Sequence, residues 1–265
     1  MKISGIILAG GESTRFNKNK INIRIGGIPL FLYQVFKLSF FCDEILIVSN
    51  LKNFGIIKNE SEKIEKYFKT YFIEKRVVIP QVKIILDKEE FKDNNFKSIG
   101  PIAGICTGLM EAKNSYNIIQ AFDMPFTSFN LYKLLITRSN PEKTDVVMVR
   151  TQKGLETLCT IYSKRCIDII LYNISKKIFK IIEILPYLNV SFINEEDLKE
   201  HKIDGLNFFN INKNIDNKKL NDIWNKGLLN NFGNFLANNY LNNNDKKWDN
   251  FFYRGLVEET LVKKF

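Results

Sequence analysis

The sequence predicts an α/β fold in three layers: a mainly parallel sheet with helices on both faces and antiparallel strands at its edge. Three observations carry that prediction. Short apolar, β-branched runs alternate with amphipathic stretches as far as Arg150, which is the pattern of strands joined by crossover helices. The first run ends at Gly10 and Gly11, followed by polar and basic residues. Beyond Arg150 the alternation loosens into shorter runs that complete a sheet rather than extend the repeat.

Taken in order, residues 3–8 read as the first strand and 29–41 as the helix that follows. Residues 44–48, Glu-Ile-Leu-Ile-Val, form the next strand and 60–71 the next helix; 82–86 and 102–113 repeat the unit. A strand over 117–122, a helix over 129–137 and a strand over 145–149 close the alternating part. Then come a short strand at 158–162, a helix at 165–175, a strand at 190–193 and an apolar turn, Phe208-Phe209-Asn210-Ile211-Asn212. A helix over 214–229 and an amphipathic piece over 248–262 follow, separated by Asn-rich sequence. One domain over 1–225 and a helical, Asn-rich extension over 226–265 are therefore expected. Ligands of such sheets bind beyond the carboxyl ends of the strands, where strand order reverses.

The charge balance, 39 Lys and Arg against 29 Asp and Glu, is spread along the chain rather than gathered in a block. That favours attraction to small anions over a nucleic-acid arm, so no nucleic-acid partner is expected. Cys42, Cys106, Cys159 and Cys166 contain no Cys-x-x-Cys pair, which argues against both a disulfide framework and a zinc site. No apolar run is long enough to span a bilayer, and the N-terminal one is too short for a signal segment. A cytoplasmic protein without membrane contact is the expectation.

Glycines just past a strand let backbone N–H groups turn toward a ligand that a Cβ would block. Ser13, Thr14, Arg15, Lys18 and Lys20 add donors and positive charge. The fitting ligand is a phosphate chain; a plain strand-to-loop turn with exposed cations is the competing reading. The spacing matches neither Gly-x-x-x-x-Gly-Lys-Ser/Thr nor Gly-x-Gly-x-x-Gly, which sets aside both of those phosphate loops. Asp123 follows a strand and precedes Met124-Pro125. The proline forces a turn and leaves the carboxylate at the sheet's edge, either to hold Mg²⁺ or to shape the turn. His201 lies in a charged stretch outside these features and reads as a surface residue.

The string Leu8-Ala-Gly-Gly-x-Ser-x-Arg15-Phe, with Lys20 after it, resembles the signature of nucleotidyltransferases that move a nucleoside monophosphate onto a phosphorylated acceptor. Gly100-Pro-Ile-Ala-Gly104 is similar to that family's glycine-rich turn opening a helix, and Ala121-Phe-Asp123-Met-Pro-Phe126 to its metal-binding acid. Phe209-Asn-Ile-Asn212 resembles the Asn-x-Asn element of one branch, the molybdenum cofactor guanylyltransferases. These motifs fall in the family's order.

The resemblance implies a Rossmann-like three-layer α/β/α nucleotidyltransferase fold. It implies transfer of GMP from GTP to the phosphate of molybdopterin with release of pyrophosphate, and Mg²⁺ as cofactor. By the same resemblance Arg15, Lys20 and Asp123 are catalytic, with Asp123 the metal ligand. Leu8, Ala9, Gly10, Gly11, Lys20, Asn50, Asp87 and Asp123 fall at the nucleotide; Gly100, Gly104, Lys177, Asn210 and Asn212 fall at the acceptor. GTP and molybdopterin are the implied partners, with transient contact to cofactor-delivering or molybdoenzyme-maturation proteins. In the family Leu-Ala-Gly-Gly goes with guanine and Leu-Ala-Ala-Gly with cytosine, which singles out Gly10. Asn17 and Asn19 replace residues the family often carries as Gly and Asp. A CTP-using relative, another acceptor (a sugar phosphate, lactate phosphate or cobinamide phosphate) and a GTP-binding regulator without turnover all stay open on the sequence. No general base is evident, which agrees with a phosphate acceptor that is already anionic.

Overall fold

A computed structural model of the protein describes residues 1–10, 20–25, 28–74, 80–91 and 99–211. In chain order these form β1 (Ile3–Leu8), β2 (Arg24–Ile25), β3 (Ile28–Pro29), α1 (Leu30–Leu38), β4 (Glu44–Ser49), α2 (Leu51–Glu74), β5 (Gln81–Leu86) and α3 (Pro101–Glu111). There follow β6 (Tyr116–Ala121), α4 (Phe129–Thr137), β7 (Val146–Thr151), β8 (Gly154–Ser163), α5 (Cys166–Ser175), β9 (Val190–Ile193) and α6 (Glu195–Glu200).

The central strands are buried on both faces, and that is why their sequences run almost continuously apolar. Successive side chains of a strand point to opposite faces. Ile3 and Ile7 of β1 join Ile45, Ile47 and Ile118 in a core closed by α1 and α4. Ile6 joins Leu46, Val48 and Ile119 in a second core closed by α3 and α5. Two cores back to back on one sheet give the three layers.

Strand order in the main sheet is β5-β4-β1-β6-β8-β7-β9. The chain lays β4 and then β5 on one side of β1, then crosses over to set β6 on the other, all parallel. Strand order therefore reverses between β1 and β6, and the crevice beyond their carboxyl ends is where a ligand is expected. The mainly parallel sheet with antiparallel pairing is as the sequence predicts, but the antiparallel strand is not at the edge. β8 lies inside, antiparallel to β6 on one side and β7 on the other, while the edge strand β9 runs parallel to β7. The physical reason is the β7–β8 hairpin, which returns β8 into the slot beside β6 and leaves the far side of β7 for β9.

Residues 129–137 and 190–193 fold as expected. The second helix is longer than the sequence suggests: α2 begins at Leu51, where the Asn50 side chain accepts a hydrogen bond from the Asn53 N–H at 2.9 Å and caps it. The turn expected at 208–212 begins three residues earlier, as a 3-10 turn over Gly205–Phe208. Asn212, the expected helix over 214–229, the piece over 248–262 and the whole of 226–265 lie outside the described residues. No helix among the described residues is long and apolar enough to cross a membrane.

Candidate active site

Two loops leave the sheet at the point of reversal. The Ala9 N–H still bonds to Val48 O at 2.8 Å and the Phe122 N–H to Leu8 O at 3.3 Å, so strand-like pairing continues just past the ends of β1 and β6. It sets Ala9-Gly10 and Phe122-Asp123 on neighbouring ridges of the carboxyl edge.

The backbone after β1 is gripped from the start of α2. Asn50 Nδ2 donates to Gly10 O at 2.7 Å, and Asn53 Nδ2 donates to Ala9 O at 2.9 Å. Asp87, just past β5, is tied in through its N–H to Ser49 O at 2.9 Å and is buried. Its carboxylate occupies space that two missing side chains leave: a Cβ on Gly10 would stand 2.7 Å from Asp87 Oδ2, and one on Gly104 would stand 3.6 Å from Asp87 Oδ1 and 3.1 Å from Leu8 Cδ2. A methyl at position 10 would therefore force the Asp87 carboxylate or the backbone at Asn50 to shift. Gly100, which opens α3, has φ of 105°, a conformation natural to glycine alone. Leu8, Ala9, Gly10, Asn50, Asp87, Gly100 and Gly104 accordingly belong to one corner of the molecule.

Lys20 and Asp123 meet on the neighbouring ridge, just past the end of β6. Lys20 Nζ lies 3.1 Å from Asp123 Oδ2, with both side chains largely withdrawn from solvent. Asp123 O accepts the Ile211 N–H at 3.0 Å, which draws the segment containing Asn210 against the acid. Arg15, Gly11 and Asn212 lie outside the described residues. Lys177 is exposed just past the end of α5 at φ 61°, and its N–H bonds locally to Ile174 O; none of its described bonds reaches the Asp123 cluster. His201 is exposed, with Nδ1 2.8 Å from Asp197 O.

The loop from Asp123 to Ser128 rests on residues that the sequence reading passed over. Gln34 Nε2 donates to Met124 O at 2.6 Å, and Lys37 Nζ donates to Pro125 O at 3.0 Å and Thr127 O at 2.8 Å. Asn207 Oδ1 accepts the Ser128 N–H at 2.7 Å from the other side. One signal was available: Gln34 and Lys37 interrupt the otherwise apolar helix Leu-Phe-Leu-Tyr-Gln-Val-Phe-Lys-Leu, yet both are buried.

Burial pulls the Lys37 ammonium down from 10.5 to about 7, against a smaller opposing effect of Cys159. Unfolded, the same group stays protonated to about pH 10. Between those values the unfolded chain binds more protons, so this residue makes folding more favourable as pH rises. The gap between the Tm of the wild type and that of Lys37→Met is expected to widen in favour of the wild type between pH 7 and about pH 10. Thermal unfolding across that range measures it, and parallel pH profiles for the two proteins would contradict it. The thiols are not nucleophiles here. All four cysteines are buried and free, and burial pushes Cys106, Cys159 and Cys166 up to about 12 and Cys42 higher still.

A three-layer α/β/α fold with a glycine, a lysine and a carboxylate at the point where strand order reverses is the arrangement of a nucleotide-handling enzyme. The chain belongs to the MobA-like NTP transferase domain family, which it matches over residues 5–183, and it is a nucleotidyltransferase. A probable molybdenum cofactor guanylyltransferase of Clostridium perfringens is 30% identical over 224 residues, 80% of this chain and 92% of that protein. The molybdenum cofactor guanylyltransferase of Desulfosudis oleivorans is 28% identical across 79% of this chain and 90% of its own. The solved structure of molybdopterin-guanine dinucleotide biosynthesis protein A from Archaeoglobus fulgidus shares the fold with a TM-score of 0.63, covering 84% of this chain and 99% of that one at 23% identity.

Proposed function

We propose that this nucleotidyltransferase moves GMP from GTP to the phosphate of molybdopterin, giving the guanine dinucleotide form of the molybdenum cofactor and pyrophosphate. The observation that carries the reading is the convergence of Gly10, Asp87 and Gly104 beside the Lys20–Asp123 pair at the switch of strand order. The names of the relatives that span most of the chain support the choice of substrates.

In this reading Leu8, Ala9, Gly10 and Gly11, with Asn50 and Asp87, receive the nucleotide, and Gly100, Gly104 and Asn210 lie toward the acceptor, with Lys177 and Asn212 as further contacts. A phosphomonoester oxygen is anionic near neutrality. It attacks the α-phosphorus of GTP, the bond from that phosphorus to the bridging oxygen breaks, and pyrophosphate leaves with the electron pair. No side chain has to take a proton. Lys20, with Arg15, balances negative charge building on the phosphates, and such preorganised electrostatic stabilisation is the main contribution available to a protein in this chemistry.

The donor set suits Mg²⁺. Among the described residues no group of three or more His, Cys, Asp or Glu gathers into a cage. Mg²⁺ accepts one or two carboxylates and takes its other ligands from phosphate oxygens and water, so Asp123 suffices as its protein anchor. When bound, the ion would neutralise triphosphate charge.

Two experiments test the proposal. Thermal unfolding with GTP, CTP, UTP and ATP, each with Mg²⁺, should show the largest rise in Tm with GTP, because a ligand of the native state stabilises it; a larger rise with CTP would overturn the choice of base. Lys20→Met is expected to reduce kcat by about 10²–10³-fold, and unaltered turnover in that variant would remove Lys20 from the chemistry.

A further inference from the structure

The turn that presents Asp123 is held from behind by a side chain that is unusual for its position. Lys37 is 4% exposed, and its described partners are the carbonyl oxygens of Pro125 and Thr127, with no carboxylate among them. Burying an ammonium without a counter-charge is unfavourable, and a methionine of similar length would fill the space between α1 and the loop without that penalty. What lysine supplies and methionine lacks is a set of N–H donors. Gln34, one turn earlier on the same helix, donates to Met124 O. Its amide is itself fixed, because the Tyr132 hydroxyl lies 3.2 Å from Gln34 Oε1 and 3.0 Å from Gln120 Oε1. Gln120 Nε2 in turn donates to Ala121 O and reaches Thr127 Oγ1 at 3.3 Å, which closes the network around the loop. Three carbonyls of the turn, Met124 O, Pro125 O and Thr127 O, are thus anchored to one helix face.

We propose that Lys37 and Gln34 are positioning residues for the Asp123 carboxylate. They fix the chain immediately after it, and so fix where its oxygens stand relative to Lys20 and to an incoming cation and triphosphate. The inference rests on the reading of Asp123 as the metal-holding acid. Outer-shell groups that orient a metal ligand, when removed, weaken metal binding by about 10–100-fold. A merely structural role would lower stability without moving that quantity.

The test is Mn²⁺ binding, followed by electron paramagnetic resonance in the presence of a non-hydrolysable GTP analogue, for the wild type, Lys37→Met, Gln34→Met and Asp123→Asn. Lys37→Met and Gln34→Met are expected to raise the Mn²⁺ dissociation constant about tenfold or more while unfolding cooperatively and still binding the analogue without metal. An unchanged dissociation constant in either folded variant overturns the proposal. Should Lys37→Met not fold, Gln34→Met, which leaves the lysine in place, decides the matter by the same criterion. If the wild type binds Mn²⁺ no better than Asp123→Asn, the reading of Asp123 fails and this inference with it; if the wild type binds and the α1 variants match it, only the positioning role fails.

Discussion

Asp123→Asn is expected to lower kcat for nucleotide transfer by about 10²–10³-fold or more, the loss seen when one preorganised electrostatic group is removed from a reacting centre. The fold is expected to survive. None of the contacts described as seating this turn uses the Asp123 carboxylate: Phe122 N–H to Leu8 O, Met124 N–H to Ala121 O and Ile211 N–H to Asp123 O are backbone bonds, and Gln34 and Lys37 donate to the carbonyls of Met124, Pro125 and Thr127. An asparagine keeps an oxygen for Lys20 to approach while removing the charge that the pair at 3.1 Å depends on. Steady-state kinetics across a Mg²⁺ titration, with thermal unfolding as the control, separate the two effects. Turnover near the wild-type level would take Asp123 out of the catalytic machinery.

Gly10→Ala tests the other half of the corner. The added methyl would stand 2.7 Å from Asp87 Oδ2 and 3.3 Å from the Asn50 backbone nitrogen, closer than packed atoms sit, so the end of β1 or the Asp87 side chain must move. Overpacking of this kind costs about 1–3 kcal/mol. Transmitted to the nucleotide corner, a displacement worth roughly 1.4 kcal/mol weakens GTP binding by about tenfold. The same substitution writes Leu-Ala-Ala-Gly, so the preference for GTP over CTP is expected to narrow as well. Asp87→Ser in the same chain returns the missing room, and the two changes should therefore couple in Tm rather than add. Measured KM values for both nucleotides and a double-mutant cycle in Tm check this. A Gly10→Ala protein with unaltered Tm and KM would show that Asp87 does not crowd that position.

What the sequence made legible was local. Residues 129–137 were recognisable as α4 from their amphipathic pattern, and the structure adds the cap, the Ser128 side chain accepting the Leu131 N–H. The start of α2 was hidden because its signal is a single Asn whose side chain both caps the helix and holds Gly10 O. An asparagine closing a strand also reads as a turn. The interior place of β8 was not legible, since which strand it pairs with is decided by the hairpin with β7 and not by its own composition.

The site divides the same way. Gly10, Asp87 and Asp123 lie just past the ends of β1, β5 and β6, where topology alone carries them to one edge, and Lys20 and Gly104 belong to the motifs that follow β1 and open α3. Gln34, Lys37 and Asn207 escaped because their value lies in contacts with a loop far along the chain. The clue to the first two was a physical inconsistency, polar residues in an apolar helix, and such inconsistencies gather at functional sites.

The transfer itself can be followed directly. Purified protein supplied with GTP radiolabelled at the α-phosphate, Mg²⁺ and molybdopterin is expected to move the label into a guanine dinucleotide of molybdopterin and to release one pyrophosphate for each transfer. Label that stays in GTP while the protein remains folded, or preferential transfer from CTP under the same conditions, would contradict the account.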